Sequence, residues 1–399
     1  MARRARIGVF CYFGLCGLVF GMWAASLPAL DERLDLGTGR TGTVLLLVSL
    51  GVLVSMQGAG RLADRWSSRR VCLISGPIAA LVLLGPALAG SYGVLLACAF
   101  VFGLGLGVLE LAMNAHAVEV ELVYERPIMS SFHGMWSLGG AAGGLLTSAA
   151  LRGGLGVGTL LTITAIAGAV LFLLPGPLLL HDRTSPKPVE AKSAERRSVG
   201  RAAVLLLGAV VFAGAIAEGA AMDWAAIHAR RVLEVDPDLA PLAFTVFSTA
   251  MTVMRFLGDR IRGRLGATRT LRLAGSLAAS GYALVLIAPL TSGASMALAW
   301  AGWALVGTGL ATVVPVAFSS VGASQEAAGR ALAMITTFLY CGLLAGPAVI
   351  GHLADLTSLP AALALPGILA VFVALAGPRA ISALLPTRPH QTPVPTPTT

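Results

Sequence analysis

The feature that most restricts the fold of this chain is a long apolar run that recurs along nearly its whole length. A hydrocarbon core of ~30 Å is crossed by a helix of roughly 20 residues, and a helix satisfies its own backbone hydrogen bonds in lipid. We therefore predict an all-α integral membrane protein with about twelve transmembrane helices. The predicted spans are residues 7–30, 41–63, 71–89, 94–118, 128–151, 156–180, 202–228, 241–258, 270–289, 294–320, 327–351 and 359–377.

Composition and charge agree with this class and give an orientation. Of the 399 residues 56% are hydrophobic, which excludes an ordinary soluble domain. If the N-terminus is cytoplasmic, 23 of the 28 Lys and Arg residues lie on that side, so both termini are predicted to be cytoplasmic. Anionic lipid head groups account for the net charge of +9, and no nucleic-acid partner is needed. We expect a monomer in the bilayer, with neither a cofactor nor a metal ion. The five basic residues left outside are Arg33, Arg40, Arg152, Arg230 and Arg231.

The two halves of the chain repeat each other at a spacing of about 200 residues. Trp23 matches Trp224 at an offset of 201, and Arg65 matches Arg264 at 199. Gly139 and Gly143 match Gly342 and Gly346 at 203. Duplication of this kind is typical of secondary transporters, in which two bundles move around a central site. The predicted organisation is an N-terminal six-helix bundle (1–180), a cytoplasmic linker (181–201), a C-terminal six-helix bundle (202–377) and a disordered tail (378–399).

Acidic residues inside the predicted spans indicate where chemistry takes place. Glu110 and Glu218 lie deep within spans four and seven. An ionised carboxylate exposed to lipid there costs at least ~2.5 kcal/mol, so each should face the bundle interior or a water-filled cavity. Asn114, the only asparagine of the chain, lies one turn from Glu110 on the same helical face. We predict proton coupling by Glu110 and Glu218 and substrate contact by Asn114; the alternative is that these groups only hold helices together.

Further polar and aromatic residues are candidates for the same site. His133 lies at the start of span five beside Trp136, where it could relay protons or simply make a contact near the membrane surface. Trp23 and Trp224 fit an interfacial aromatic belt as well as a stacking platform for substrate. Gln57 is a further cavity candidate. Asp223, near the outer surface, is a substrate candidate that could instead pair with Arg230 or Arg231.

Several segments resemble a known family of transporters. "GAGRLADRWSSRR" (58–70) resembles the loop signature of the major facilitator superfamily, with Ser67 in place of its second glycine. In the second half, "GDRIRGRLGATR" (258–269) keeps Arg264 but has Gly263 in place of the aspartate. "AMNAHAVEVE", "SSFHGMWSLGG", "EGAAMDWAA" and "GPAVIGHLAD" together look like the fucose-permease-like branch of inner-membrane transporters.

The resemblance implies the major facilitator fold and proton-coupled transport by alternating access, with an acidic residue on span four as the proton site. Glu110 occupies that position. The sugar symporters of the branch also use an acidic residue on span one, which this chain lacks within the membrane. The resemblance further implies a cytoplasmic gate, built here from Gly60, Asp64, Arg65, Arg69, Arg264 and Arg330.

We therefore expect symport of a small polar, sugar-like solute with protons. A proton-antiporting exporter of amphipathic compounds is the main alternative, because it uses the same scaffold. An intramembrane enzyme is less favoured because the chain contains no H-E-x-x-H, G-x-S-x-G or G-x-x-x-x-G-K-[ST] motif. A receptor without transport is the least favoured class.

Overall fold

The computed structural model describes residues 2–124, 128–181, 201–322 and 328–384, with the backbone alone at 58–64, 130, 201, 259, 322, 328–330, 332 and 333. These residues form thirteen α-helices, and no strand occurs among them. The helices are α1 (Ala2–Leu34), α2 (Gly37–Trp66), α3 (Ser68–Leu81), α4 (Leu84–Leu88), α5 (Tyr92–Tyr124), α6 (Met129–Arg152), α7 (Val157–Leu173), α8 (Arg201–Arg231), α9 (Pro241–Ile287), α10 (Ser295–Leu310), α11 (Val313–Gly322), α12 (Ala328–Leu356) and α13 (Leu359–Leu384).

The helices make twelve crossings of the bilayer. Eleven segments of the described chain are long and apolar enough to span a membrane. Helix α6 is the twelfth crossing; it has 24 residues, but its glycines and serines lower its mean hydropathy. Helices α3 and α4 form one crossing, as do α10 and α11, whereas α9 contains two. The predicted all-α membrane fold is confirmed. Because the number of crossings is even, α1 begins and α13 ends on the same side, called here the terminal side.

The six crossings of each half pack in matching ways. In the first half α1 packs along α6 and α2 along α5, and in the second half α8 packs along α12 and α9 along α10. The matched glycines lie in these equivalent contacts. A Cβ atom built on Gly139 would stand 2.0 Å from the Gly14 carbonyl oxygen on α1, and one built on Gly342 would stand 2.7 Å from the Phe212 carbonyl oxygen on α8. The predicted pseudo-symmetry is therefore confirmed.

The loop that follows the second crossing of each half has the same backbone conformation. Ser67, between α2 and α3, has φ 78° and ψ 145°. Gly266, 199 residues later, breaks α9 into its two crossings with φ 75° and ψ 161°. This region of positive φ is favourable only for glycine. The first half therefore has the backbone conformation of Gly266 at a residue that is strained by it, although the Ser67 hydroxyl caps α3 by accepting from the Arg70 backbone N–H.

Two predicted segments fall mainly outside the described residues. Only residues 181 and 201 of the predicted linker are described, and α8 begins at the second of these. The tail was predicted to begin at residue 378, but α13 continues to Leu384. Its continuation reflects the apolar and alanine-rich sequence of 374–384, which has good helix formers after Pro378.

Candidate functional site

A central cavity of about 1020 Å³ lies between the two halves. It is lined by α1, α2, α5 and α6 from the first half and by α8, α9, α11 and α12 from the second. Among its lining residues Gln57 and Val118 are exposed and lie toward the terminal side, so the cavity opens on that side. Toward the opposite side the two halves come into direct contact.

Glu110 contributes a carboxylate without a partner to this cavity. Its carboxylate makes no ion pair or hydrogen bond within the described residues, and it lies close enough to the Cys16 thiol and the Tyr340 hydroxyl for its charge to act on both. Asn114 also lines the cavity. Its Nδ2 donates to the Glu110 carbonyl oxygen at 2.8 Å, which leaves the amide oxygen available to a ligand.

Glu218 faces the same cavity from the second half, but it is paired. Arg255 Nη2 donates to Glu218 Oε1 at 2.9 Å, and the two side chains are only 15% and 13% exposed. Arg255 Nη1 crosses to the first half, where it donates to the Ser137 hydroxyl at 2.5 Å and to the His133 carbonyl oxygen at 3.3 Å. The charge count above placed Arg255 among the 23 cytoplasmic Lys and Arg residues, which is wrong because its side chain points into the bundle.

Three further predicted residues line the cavity. The His133 ring packs edge-on against Phe13, with 5.3 Å between ring centroids. Trp136 is tilted against Phe20 at 5.4 Å, so an aromatic surface faces the cavity beside the Glu110 region. Gln57 lies nearer the mouth. The structure therefore brings Glu110, Asn114, Glu218, His133, Trp136 and Gln57 together, and their roles in coupling and binding remain predictions.

Trp23, Trp224 and Asp223 do not line this cavity. Both indoles are fully buried, and Trp23 packs on Phe102 with 5.4 Å between centroids. An interfacial belt is therefore wrong for this pair, because each indole fills the packed interior of its own half. Asp223 is buried and pairs with neither Arg230 nor Arg231, since both arginines bind acidic groups of α1 instead. A role for these three residues in substrate binding therefore remains a prediction.

The predicted terminal-side gate is only partly described. Arg65 and Arg264 are exposed on the terminal side. Arg69 is half-buried, and its buried Nε has no hydrogen-bond partner within the part of the chain that the structure describes. Gly60 is described by its backbone alone, and the side chains of Asp64 and Arg330 lie outside the described residues. Gate contacts among these six residues therefore remain a prediction.

The opposite side of the molecule carries a set of ion pairs, called here the clasp: Asp31–Arg231, Glu32–Arg230 and Arg152–Asp238. Each pair joins the first half to the second. Asp31 is only 2% exposed. Its carboxylate accepts hydrogen bonds from Arg231 Nε at 2.5 Å and from the Gly37 backbone N–H at 3.0 Å. Glu32 binds Arg230. The clasp therefore holds the halves together where the cavity is closed.

The third ion pair of the clasp is the most exposed. Arg152 Nε donates to Asp238 Oδ2 at 2.8 Å, and the Asp238 carbonyl oxygen accepts from the Ser148 hydroxyl at 2.5 Å. The hydrogen bond from Arg152 lowers the pKa of Asp238 from its ordinary value. Asp238 is therefore ionised throughout the neutral range, and its pair with Arg152 weakens only when acidification protonates the carboxylate.

Close backbone contacts accompany the clasp. A Cβ atom on Gly42 of α2 would stand 2.8 Å from Gly351 Cα of α12, and one on Gly144 of α6 would stand 2.3 Å from the Thr245 hydroxyl of α9. Small residues allow helices to approach this closely within a membrane. The halves are therefore sealed on the side opposite the terminal side.

Sequence reasoning missed Arg255 and the clasp, and both have a signal in the chain. Arg255 lies 14 residues after Pro241 within a predicted span, where a basic residue is unusual. The acidic pair Asp31–Glu32 and the basic pair Arg230–Arg231 stand at an offset of 199 residues. The internal repeat thus places opposite charges at matching helix ends, and the symmetry axis brings them together.

Comparisons with known proteins agree with this fold. An uncharacterized transporter of Sinorhizobium fredii is 34% identical over 377 residues, which covers 93% of this chain and 97% of the relative. An uncharacterized MFS-type transporter of Yersinia pestis is 35% identical over 371 residues and is covered over 94% of its length, with 93% of this chain included. The crystal structure of the nucleoside transporter NupG (15% identical) covers 96% of this chain and 99% of its own, with a TM-score of 0.66. Residues 9–340 match the Major Facilitator Superfamily, and the chain belongs to that family of transporters.

Proposed function

We propose that this protein is a proton-coupled secondary transporter that moves a small polar, sugar-like or related solute across the inner membrane by alternating access. The observation that carries the proposal is the unpaired Glu110 carboxylate in a cavity between two halves that are joined on one side only. Intramembrane carboxylates that face a cavity mark ion and substrate paths. The resemblance to the fucose-permease-like branch supports the same assignment.

With both termini cytoplasmic, as the distribution of Lys and Arg favours, the structure is the inward-open state. Solute and proton leave through the terminal side in this state. Separation of the clasp, together with closure around the predicted gate, gives the outward-open state. Glu110 then exchanges its proton with water on whichever side the cavity opens. Solute that binds preferentially to the protonated form moves with the proton, since coupling requires different affinities in the two states.

The polar residues of the cavity offer hydrogen-bonding groups to a small polar solute. Asn114, Gln57 and Tyr340 supply amides and a hydroxyl, and Trp136 supplies a ring face. The remaining wall is largely apolar. That wall also favours a second candidate, the proton-antiporting exporter of amphipathic molecules, because methionine and leucine side chains adapt to varied apolar ligands.

A thermal-shift screen of the purified protein tests the proposed site. Sugars, sugar alcohols and small acids are compared at two pH values, because a ligand that binds the folded state raises the melting temperature. We expect stabilisation that depends on pH, and this dependence should weaken in Glu110→Gln, which still binds because it resembles the protonated form, and stay unchanged in the matched control Glu234→Gln, which alters an exposed loop carboxylate. Stabilisation that is identical in Glu110→Gln and the unmodified protein contradicts the assignment.

Proteoliposomes separate the two directions of coupling. The solute identified in the screen is supplied with pH gradients of either sign. Symport predicts accumulation on the side toward which protons flow, and antiport predicts accumulation on the other side. Turnover of the solute without its translocation contradicts both and supports an enzyme.

A further inference from the structure

The ion pair between Arg255 and Glu218 is accessible to a solute because both side chains line the central cavity. Their remaining exposure of 15% and 13% is toward that cavity. Arg255 has five N–H donors in a planar fork, and only some of them contact Glu218, Ser137 and the His133 carbonyl oxygen. The guanidinium therefore keeps donors that a ligand can reach.

The charge of the cavity wall favours an anionic ligand once Glu110 is protonated. The acidic residues of the wall are Glu110 and Glu218, and the arginines are Arg255 and Arg262. Arg262 lies two turns beyond Arg255 on the same face of α9 and has no acidic partner among the described residues. Among the described residues of the wall, protonation of Glu110 leaves Arg262 as the charge that no acidic side chain balances. A cleft with an excess of one charge concentrates ligands of the opposite sign.

We propose that the solute of this transporter is a small organic carboxylate that replaces Glu218 on Arg255, and that Glu218 then takes up a proton from the cavity water. The exchange is balanced: the solute carboxylate inherits the ion pair with Arg255, and the proton forms an O–H bond on the released Glu218 carboxylate. No unpaired anion remains in the cavity, because the solute carboxylate is paired with Arg255 and both Glu218 and Glu110 are protonated. This inference rests on the proposed function and names its substrate class.

The surroundings of Glu218 allow this exchange. The charged or titratable groups that face it from neighbouring elements are Arg255 on α9, Tyr282 on the second crossing of α9 and His133 across the cavity on α6. The Tyr282 hydroxyl is occupied, because it donates to the Ala217 carbonyl oxygen at 2.6 Å. Arg255 is therefore the group that holds Glu218 as an anion, and loss of this contact changes what Glu218 binds.

The apolar side chains that line the cavity indicate what kind of group the solute carries besides its carboxylate. Five of the eleven methionines of the chain line the cavity: Met56, Met113, Met129, Met222 and Met254. Methionine side chains are flexible and polarizable and pack around irregular apolar shapes. An inorganic anion makes no use of such a surface. The combination of Arg255 with this wall favours a carboxylate attached to a carbon skeleton.

The test compares carboxylates with their neutral amides. Acetate, benzoate, gluconate and further small carboxylates, each beside its primary amide, are measured by thermal shift and by proton uptake in weakly buffered detergent solution. We expect at least one carboxylate to bind with uptake of a proton, about tenfold more weakly per unit rise in pH, and at least tenfold more tightly than its amide. Failure of every carboxylate to bind, or equal binding of the amide, overturns the proposal.

Variants assign the proton and the anion to their residues. In Glu218→Gln we expect the carboxylate to bind with one proton fewer taken up than in the unmodified protein and with a weaker dependence of affinity on pH; the dependence that remains belongs to Glu110 and is removed in the double variant Glu110→Gln/Glu218→Gln. In Arg255→Gln the preference for the carboxylate over the amide should disappear, whereas the matched control Arg260→Gln, an exposed arginine on the same helix, should keep it. The double variant Arg255→Gln/Glu218→Gln guards against misfolding because it leaves no charge unpaired. An unchanged number of protons taken up on binding in Glu218→Gln overturns the proposal.

The outcomes also separate this inference from the proposed function. Glu110-dependent, proton-driven accumulation of a neutral solute supports the proposed function and refutes the carboxylate. Carboxylate binding with proton uptake through Glu218, but without any accumulation in proteoliposomes, supports the exchange at Arg255 and refutes transport.

Discussion

The two halves of this transporter have the same architecture but differ in how they place charge around the cavity. The first half presents Glu110 on α5 without a basic partner. The second half presents Glu218 on α8 together with Arg255 on α9 at 2.9 Å. In two of the three clasp pairs the first half contributes the acidic residues, Asp31 and Glu32, and the second contributes Arg230 and Arg231; the third pair has the opposite arrangement.

This difference teaches that a duplicated fold can separate two electrostatic tasks. A lone carboxylate exchanges a proton without breaking any contact, whereas a paired carboxylate changes state only when its partner is released. The complementary charges of the clasp require two unlike halves, because identical halves would bring like charges together at the axis. Variants that remove or isolate one difference between the halves at a time show how much each difference contributes to stability.

The largest effect is expected when the pair in the second half is broken. Arg255→Gln leaves Glu218 as a second unpaired carboxylate, and loss of one partner of a buried ion pair costs about 3–5 kcal/mol. The melting temperature in detergent should fall accordingly. Glu218→Gln added to Arg255→Gln should restore most of the loss because no charge is left unpaired. A double variant as unstable as Arg255→Gln alone would show that the pair itself is not responsible.

A somewhat smaller effect is expected at the clasp. Arg231→Gln leaves the buried Asp31 without its cation, which should cost about 2–3 kcal/mol of the closed contact, less than a fully buried pair because Arg231 is 37% exposed. Spin labels on the ends of α1 and α8 should then report a longer distance between the halves. The control Arg152→Gln removes a pair with a 63% exposed arginine and should change the distance little. Equal effects of the two variants would argue against the central role of Asp31.

The matched glycines provide a comparison of packing. A Cβ atom on Gly143 would meet the Met22 backbone nitrogen at 2.7 Å, but on the equivalent Gly346 the nearest atom would lie at 3.4 Å. Gly143→Ala should therefore destabilise the protein by roughly 1–3 kcal/mol, as overpacking does. Gly346→Ala should stay within about 0.5 kcal/mol. Thermal unfolding of the two variants side by side measures the difference, and equal losses would contradict the tighter packing of the first half.

The smallest effect is expected at the loop in which the halves differ by one residue. Ser67→Gly relieves the positive φ at a position where Gly266 stands in the second half, and should stabilise the protein by about 1 kcal/mol, less a few tenths for the lost cap. The reciprocal Gly266→Ser should destabilise by a similar amount. A lower melting temperature for Ser67→Gly, or a higher one for Gly266→Ser, would show that the positive φ does not strain Ser67.

The fold could be predicted because each crossing is encoded locally. Apolar length alone gives the crossings, and the spacing of Gly139 and Gly342 gives the repeat that the helix contacts confirm. Helix α6 is the weakest case: its glycines and serines lower its mean hydropathy, so its apolar length indicates a crossing less clearly than that of the other eleven spans.

The site could be predicted only in part because it is formed by residues distant in sequence. Glu110 and Asn114 share one helical face, so their common placement follows from helical geometry. The partner of Glu218 is 37 residues away on another helix. The position of Arg255 within a predicted span indicates an unusual arginine, but it does not indicate which acidic residue the arginine binds. For Trp23 the prediction of an interfacial position was wrong, because a tryptophan at the end of a span can be buried in the bundle as well as lie at the membrane surface.

The most direct test of proton coupling by Glu110 is transport by Glu110→Gln in proteoliposomes, measured with the solute found by thermal shift. Two rates are compared in each protein: accumulation driven by an imposed pH gradient, and exchange of labelled for unlabelled solute without a gradient. We predict that Glu110→Gln retains exchange and loses accumulation, because the halves can still alternate but no proton travels with the solute. Accumulation equal to that of the unmodified protein would contradict proton coupling through Glu110.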